Sequence, residues 1–316
     1  MNTASPITIS ATEVESACSL SEVVESQRKA FAGLISGTSV MGPRAVITNG
    51  ENAQFSYIAR AALTAPTIVK FGSVTGSNSA KGLPVVQAYI AVMDSETGSL
   101  TYFVDGESVT RIRTTAASMV AAQELANKPN YITVIGSAPQ AIAHAKAALE
   151  LFKPTKLAIV VRSADKGQFV KAQFADNLPV EISQDVEAAV ATADLIFTCT
   201  NAMTPLFKRK LKPGSTCIAI GSFAPNREEI SADILIAADK VFADDSATTQ
   251  IQCGSIIPAL KSNARKWAEV ISIGEVINKS ASGRENPAEV ICYFSVGLGI
   301  QDAAFVELLM QKRSGK

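Results

Sequence analysis

Lys70 stands in Thr67-Ile68-Val69-Lys70-Phe71, a run that otherwise reads as a buried strand. Burial disfavours a charged ammonium, so a lysine there is costly unless it is paired or put to work. A working ammonium and a structural ion pair are the two readings. Thr110-Arg111-Ile112-Arg113-Thr114 begins a helix-forming stretch. Two guanidinium groups beside free helix-start N–H groups suit a carboxylate, and the same pair suits a solvated helix face. Arg44, after Gly42-Pro43, is open in the same way. The third chemical feature is the turn Gly136-Ser137-Ala138-Pro139-Gln140-Ala141. It follows an apolar β-rich run and precedes a helical pattern of Ala141, Ala145 and Ala148, with Pro139 suited to a first helical position. A strand, glycine turn, helix and second strand can hold a dinucleotide pyrophosphate, because helix-start N–H groups are free donors. Ala138 stands where the G-x-G-x-x-G fingerprint wants its second glycine; it lets a phosphate approach but adopts positive φ less freely. A plain βαβ core unit is the other reading of this stretch.

The second strand of that unit, Leu157 to Val161, ends on Arg162-Ser163, with Lys166 beyond. An acid at this tip would favour NAD through the ribose 2′-OH, whereas an arginine fits a 2′-phosphate. If the unit holds a dinucleotide, Arg162, Ser163 and Lys166 point to NADPH, with NADH possible. His144 is the only histidine and is expected to be a surface or helix-packing residue. The five cysteines are scattered without C-x-x-C spacing, and Cys199 and Cys217 lie in strand-like runs as expected of buried, reduced thiols. Neither a metal centre nor a Ser-His-Asp triad is expected.

The elements that must carry these groups can be read in order. A strand at Ile7–Ile9 leads to a helix capped by Ser10 with Glu13, and a second helix runs from Ser19 or Ser21 to Gly37. Ala53–Ala61, Pro66–Ser73, Val85–Asp94 and Thr101–Asp105 read as strands, the last two as a hairpin. A helix over roughly Val109 to Ala126 starts at Ser108 or Thr110 and carries Thr114, Ala117, Ser118, Ala121 and Ala122, small residues that allow close packing. Strands at Val180–Ile182, Leu195–Cys199 and Cys217–Ile220 then alternate with a helix at Asp185–Ala191. A short helix is expected at Arg227–Ile230, Leu235–Ala237 and Lys240–Phe242 lead to Asp244-Asp245, and the tail, Ile291 to Lys316, carries the turn Ser295-Val296-Gly297-Leu298-Gly299 and a final amphipathic helix. This alternation predicts an α/β protein with a doubly wound parallel sheet.

With 316 residues, about two domains are expected. The 29 basic and 29 acidic residues balance, which argues against nucleic acid or anionic membrane as partner. No run reaches the ~18 uncharged apolar residues of a membrane span, and the opening MNTASPITIS lacks the basic and apolar blocks of a secretory signal. A soluble, cytoplasmic protein is expected.

Together these stretches resemble the ornithine cyclodeaminase/μ-crystallin family over nearly the whole chain. The resemblance is carried by Val69-Lys70, by Asn78 with Gly82-Leu83-Pro84, and by Asp94-Ser95-Glu96-Thr97-Gly98. It continues in Thr110 to Ser118, in Gly136 with Gln140-Ala141, in Ala193-Asp194 with Thr198, and in Ser295 to Asp302. The resemblance implies a Rossmann domain over 126–292. It also implies an α+β substrate-binding and dimerisation domain over 1–125 and 293–316, completed by the C-terminal helix. By position, Arg44, Lys70 and Arg113 match the family's substrate-carboxylate residues, with Lys70 and Arg113 as the catalytic candidates, and Thr114 lies beside the cofactor. Gly136, Ser137, Ala138, Pro139, Gln140, Arg162, Ser163, Lys166, Thr198, Gly221, Phe223, Ser295 and Gly297 complete the expected cofactor site. Cyclodeaminases of the family carry an aspartate where Phe223 stands in Gly221-Ser222-Phe223-Ala224-Pro225. Phenylalanine can neither hold an ammonium nor activate water, and the run looks instead like the family's cyclic-imine reductases. The expectation is a homodimeric, NADPH-dependent reductase of Δ1-pyrroline-2-carboxylate or its six-membered homologue, giving L-proline or L-pipecolate. The alternatives are a cyclodeaminase, an amino-acid dehydrogenase, and a non-catalytic NADPH-binding protein like the crystallin members.

Overall fold

The computed structural model describes residues 5–50, 52–262 and 266–315. In chain order the elements are β1 (Ile7–Ile9), α1 (Ala11–Ser16), α2 (Leu20–Ser36), β2 (Val40–Met41), β3 (Ala45–Asn49), β4 (Asn52–Arg60), β5 (Thr67–Val74), β6 (Val86–Met93), β7 (Leu100–Asp105) and α3 (Gly106–Leu125). There follow β8 (Tyr131–Ile135), α4 (Pro139–Phe152), β9 (Lys156–Val160), α5 (Ala164–Lys171), β10 (Val180–Ser183), α6 (Val186–Thr192), β11 (Leu195–Thr198), β12 (Thr216–Ala219) and α7 (Ala232–Ala237). The chain closes with β13 (Lys240–Ala243), α8 (Ser246–Gln252), α9 (Ile256–Lys261), β14 (Val270–Ser272), α10 (Ile273–Ile277), β15 (Ile291–Phe294) and α11 (Gly299–Ser314).

Residues 1–116 with 298–316 form one compact unit, and residues 117–297 form the other. The division falls inside α3 and just before α11, whereas the sequence reading put it at 125/126 and 292/293. A helix that runs unbroken across a boundary leaves no change of composition to mark it.

The first unit is built on a sheet of order β1-β7-β6-β5-β4-β2, with β3 also paired to β4. Its pairs are antiparallel except β1 with β7. Period-two alternation decides its faces. Tyr57 and Ala59 of β4, Ile68 and Lys70 of β5, Ile90 and Val92 of β6 and Val104 of β7 are buried. α11 packs on β4, β5 and α2. Fully burying each such aliphatic side chain contributes about 1.5–3 kcal/mol, and the β4 and β5 members of the row lie on the strands that α11 covers. The residues of opposite parity stay bare: Ile58, Phe71 and Tyr89 are exposed. Capping boxes of Ser10 with Glu13 and Ser19 with Glu22 start α1 and α2, and a left-handed Gly37 ends α2. α3 begins earlier than the expected Ser108 or Thr110. Asp105 Oδ1 takes the Ser108 N–H at 2.8 Å, so the acid rather than the hydroxyl residue satisfies the helix start.

The second unit holds a fully parallel sheet of order β10-β9-β8-β11-β12-β15-β13-β14. The chain winds outward from β8 to β10, then returns to β11 and winds the other way, so the strand order reverses between β8 and β11. That is the doubly wound, Rossmann-type arrangement the alternation predicts, and its ligand crevice lies at the carboxyl ends of the strands beside the reversal. Two local expectations are corrected. Arg227–Ile230 is loop, and the helix comes later, as α7. Short apolar runs carry no period long enough to separate helix from strand. Ile291–Phe294, read as part of the tail, is the strand inserted between β12 and β13.

His144 is packed rather than on the surface. It is 0 % exposed on α4, with Nδ1 2.7 Å from the Gln140 carbonyl and Nε2 2.9 Å from Ser118 Oγ. Its ring meets Phe197 edge-on. Cys199 and Cys217 are buried free thiols, as expected. Among the described residues no helix is long and apolar enough to cross a membrane.

Candidate active site

Lys70 lies on the covered face of the first unit's sheet because it shares the parity of Ile68 on β5. Its side chain is 2 % exposed, and its Nζ donates to Asp302 Oδ1 at 2.8 Å and to Thr110 Oγ1. Asp302 comes from the first turn of α11 and is 0 % exposed. Its Oδ1 also accepts from Arg113 Nε at 3.2 Å, and its Oδ2 accepts from the Tyr57 hydroxyl at 2.6 Å. Arg113 Nη1 donates to Gln301 Oε1 at 2.7 Å, and that oxygen also receives the Leu298 N–H. The Arg44 guanidinium lies 5.5 Å from the centre of the Tyr57 ring, which Lys70 Nζ also approaches at 5.9 Å.

Local sequence explains the arrangement. Gly299 opens α11, and a Cβ there would come within 2.9 Å of Ala59 Cβ and 3.0 Å of the Tyr57 ring. Glycine therefore lets the helix lie against β4, one turn before Asp302. The arginine pair divides by helix geometry: Arg111 is ion-paired to Glu15 near the surface, while Arg113 is buried. Thr114 follows it, half-buried on the same helix.

The cluster gathers the cations Lys70, Arg113 and Arg44 around the carboxylate of Asp302. Burial lowers the Lys70 pKa to about 8, with Arg113 and Arg44 pushing the same way against the attraction of Asp302. For Asp302, burial pushes the carboxyl up, but Arg113, Lys70 and the hydrogen bonds from Lys70 and Tyr57 outweigh it and hold it below the usual range. Burial, with the Asp302 charge beside it, raises Tyr57 well above an ordinary phenol, so it stays a donor. A lysine that can gain or lose its proton near neutral pH, set beside two guanidinium groups, is equipped to bind a carboxylate and to move a proton.

In the second unit, Gly136 follows β8 at φ +138°, a conformation that favours glycine, and a Cβ there would meet the Cys199 carbonyl oxygen at 2.6 Å. Ser137 and the extended Ala138 lead into α4, where Pro139 takes the first helical position, Gln140 follows, and no side chain caps the helix. A tight glycine turn into an uncapped helix start fits a pyrophosphate, whose oxygens would take the place of a side-chain cap. Arg162, Ser163 and Lys166 are exposed at the tip of β9 and the start of α5.

The remaining expected cofactor residues are arranged by two buried acids that sequence reasoning passed over. Glu229 accepts from Thr198 Oγ1 at 2.8 Å, from Thr200 N and Oγ1 at 2.7 Å, and from Gly221 N at 2.7 Å. It thereby ties the ends of β11 and β12 together; burial raises its pKa. Asp244 accepts from Ser295 Oγ at 2.9 Å, Val296 N at 2.9 Å and Gly297 N at 2.8 Å, fixing the turn after β15. Its pKa is likewise raised by burial. Phe223, partly exposed, carries the Arg227 guanidinium on its ring at 4.4 Å. Asp302, Tyr57, Glu229 and Asp244 were missed as functional groups because their partners lie on other elements. The one available signal is an acid on the apolar face of a helix, as Asp302 is among Ile300, Ala303 and Phe305.

Known proteins resemble the chain over nearly its whole length. The model of the ornithine cyclodeaminase/mu-crystallin family matches residues 5–316. A Δ1-pyrroline-2-carboxylate reductase of Bacillus cereus is 26 % identical over 320 residues, covering 97 % of this chain and 96 % of its own. The structure of the Thermococcus litoralis Δ1-pyrroline-2-carboxylate reductase, in complex with NADH and L-proline, superimposes with a TM-score of 0.91 at 25 % identity, over 98 % of both chains. An archaeal alanine dehydrogenase dimer with bound NAD also gives 0.91 at 25 % identity, over 98 % of this chain and 96 % of its own.

Proposed function

The chain belongs to the ornithine cyclodeaminase/mu-crystallin family, and on that premise we propose that it reduces a cyclic imine carboxylate with a nicotinamide cofactor. The substrate is Δ1-pyrroline-2-carboxylate or Δ1-piperideine-2-carboxylate, and the product L-proline or L-pipecolate. The observation that carries this reading is the buried Lys70–Arg113–Asp302 cluster with Arg44, a cationic site for one carboxylate beside a proton-carrying amine. The names of the Bacillus and Thermococcus relatives support the same substrate class.

The first unit is the substrate part and the second the nucleotide part. Gly136 to Gln140 would hold the pyrophosphate, and Arg162, Ser163 and Lys166 would receive a 2′-phosphate, which favours NADPH over NADH. The loops fixed by Glu229 and Asp244, with Gly221, Phe223, Ser295 and Gly297, would complete that site. When bound, the nicotinamide supplies a hydride to the imine carbon. The chain's own residues do the rest. Arg113 and Arg44 clamp the carboxylate and fix the ring; such positioning is worth on the order of 7 kcal/mol or more in favourable cases. Lys70 supplies the proton that the ring nitrogen needs as the C=N bond becomes C–N, and is neutral afterwards until it regains one from solvent.

A homodimer through the bare sheet face fits the exposed Ile58, Phe71 and Tyr89, whose Phe71 and Tyr89 rings lie 6.1 Å apart. Light scattering of the wild type and of Phe71→Glu checks this: a monomeric wild type rejects the dimer.

The function is tested by incubating the protein with NADPH or NADH and each cyclic imine, following cofactor oxidation and identifying the amino acid formed. Cofactor binding without turnover on any imine defeats the proposal. A second reading, an amino-acid dehydrogenase, is favoured by the equally close fit of the alanine dehydrogenase. Turnover of pyruvate with ammonia in preference to either cyclic imine selects it. Phe223 argues against a cyclodeaminase, since no acid stands there to serve an amine.

A further inference from the structure

Lys70 is faced from four directions: by Tyr57 on β4, by Arg44 ahead of β3, by Arg113 and Thr110 on α3, and by Asp302 on α11. Among these described residues Asp302 is the carboxylate. Both its oxygens are committed, Oδ1 to Lys70 and Arg113 and Oδ2 to Tyr57. A buried carboxylate with three donors is rigidly placed, and it fixes each donor in return. Tyr57 in turn offers its ring to Arg44. All three cations assigned to the substrate are therefore oriented, directly or through Tyr57, by one side chain that is itself wholly buried and has no reason to meet the substrate.

We propose that Asp302 is the positioning residue of this site: carried in by the C-terminal helix, it keeps Lys70 charged and aimed, and holds Arg113 and the Tyr57 platform of Arg44 in register for a carboxylate. This assignment rests on the imine-reductase reading for its consequence in turnover, but not for its geometry.

The charge that Asp302 supplies is what distinguishes positioning from mere packing. Without it, Lys70 would lose its anionic partner while burial, Arg113 and Arg44 still disfavour its charge, and it would give up its proton at lower pH. The full chain is prepared with isotope-labelled lysine, and the Lys70 Cε resonance, assigned by its absence from Lys70→Met, is followed against pH. The wild-type midpoint is expected at about 8. In Asp302→Asn, which keeps shape and removes charge, it is expected to fall by about one unit or more. The basic limb of kcat against pH should move by the same amount. NADPH binding serves as the check that the variant is folded, and Asp302→Ser replaces it should the asparagine variant not fold. An unmoved midpoint in the folded variant overturns the proposal, even if the wild type reduces imines normally. A shifted midpoint in a chain that reduces no imine leaves the positioning intact and removes the functional reading instead.

Discussion

Lys70 and Asp302 stand 232 positions apart in the chain and 2.8 Å apart in the structure, both buried. Breaking such a pair by removing one partner leaves an uncompensated charge, which typically costs about 3–5 kcal/mol. The two residues therefore depend on one another for stability as well as for the proposed chemistry.

If Lys70 supplies the proton, Lys70→Met should lower kcat by about 100-fold or more, in the range of lost general-acid catalysis. Cofactor affinity should change little, because Lys70 lies in the first unit and the glycine turn in the second. In the wild type, kcat/KM should decline as pH rises through about 8, where Lys70 loses its proton. A Lys70→Met enzyme with near-normal turnover would show that the proton comes from elsewhere.

Arg162→Glu is expected to weaken NADPH binding by about tenfold or more and leave NADH nearly unaffected, since only the 2′-phosphate would meet this side chain. Fluorescence titration with both cofactors decides it. Equal losses for the two would remove Arg162 from the 2′ site.

Gly299→Ala places a methyl group within 3.0 Å of Tyr57 and Ala59. Overpacking of this kind costs roughly 1–3 kcal/mol. Thermal unfolding should begin at lower temperature, and KM for the carboxylate substrate should rise as α11 and Asp302 are pushed away. A variant with wild-type melting and wild-type KM contradicts the close approach.

His144 is buried and neutral, its pKa pressed from about 6.5 to about 4 by desolvation. The unfolded chain then binds the proton more readily, so this group's stabilisation is complete above about 6.5 and drains away as pH falls toward about 4. The loss amounts to on the order of 3 kcal/mol at the acid end. As the chain's only histidine, its ring resonance can be titrated by NMR without ambiguity. A midpoint near 6.5 in the folded protein would falsify the packing account.

Much of this molecule is legible in the chain. The run from Tyr131 to Val161 declares its strand, turn, helix and strand through local apolar pattern, one glycine and one proline, and local pattern is all that such a unit needs. Lys70 declares itself too, because a charge in an apolar strand is a conflict visible in a handful of residues. How the conflict is resolved was not visible. The sequence shows Arg111 and Arg113 as equals, and only their angle around α3 sends one to Glu15 and the other to Asp302. The partners Tyr57, Asp302, Glu229 and Asp244 are contributed by elements distant in the chain, and a one-dimensional pattern holds no term for long-range pairing. The strand at Ile291–Phe294 has the same cause: its identity rests on neighbours β12 and β13 rather than on its own few residues. The sequence by itself determined the fold class, the glycine turn and the conflict of a lysine in an apolar strand. Tertiary structure alone decided which carboxylate answers Lys70, because buried charge is settled by proximity in space.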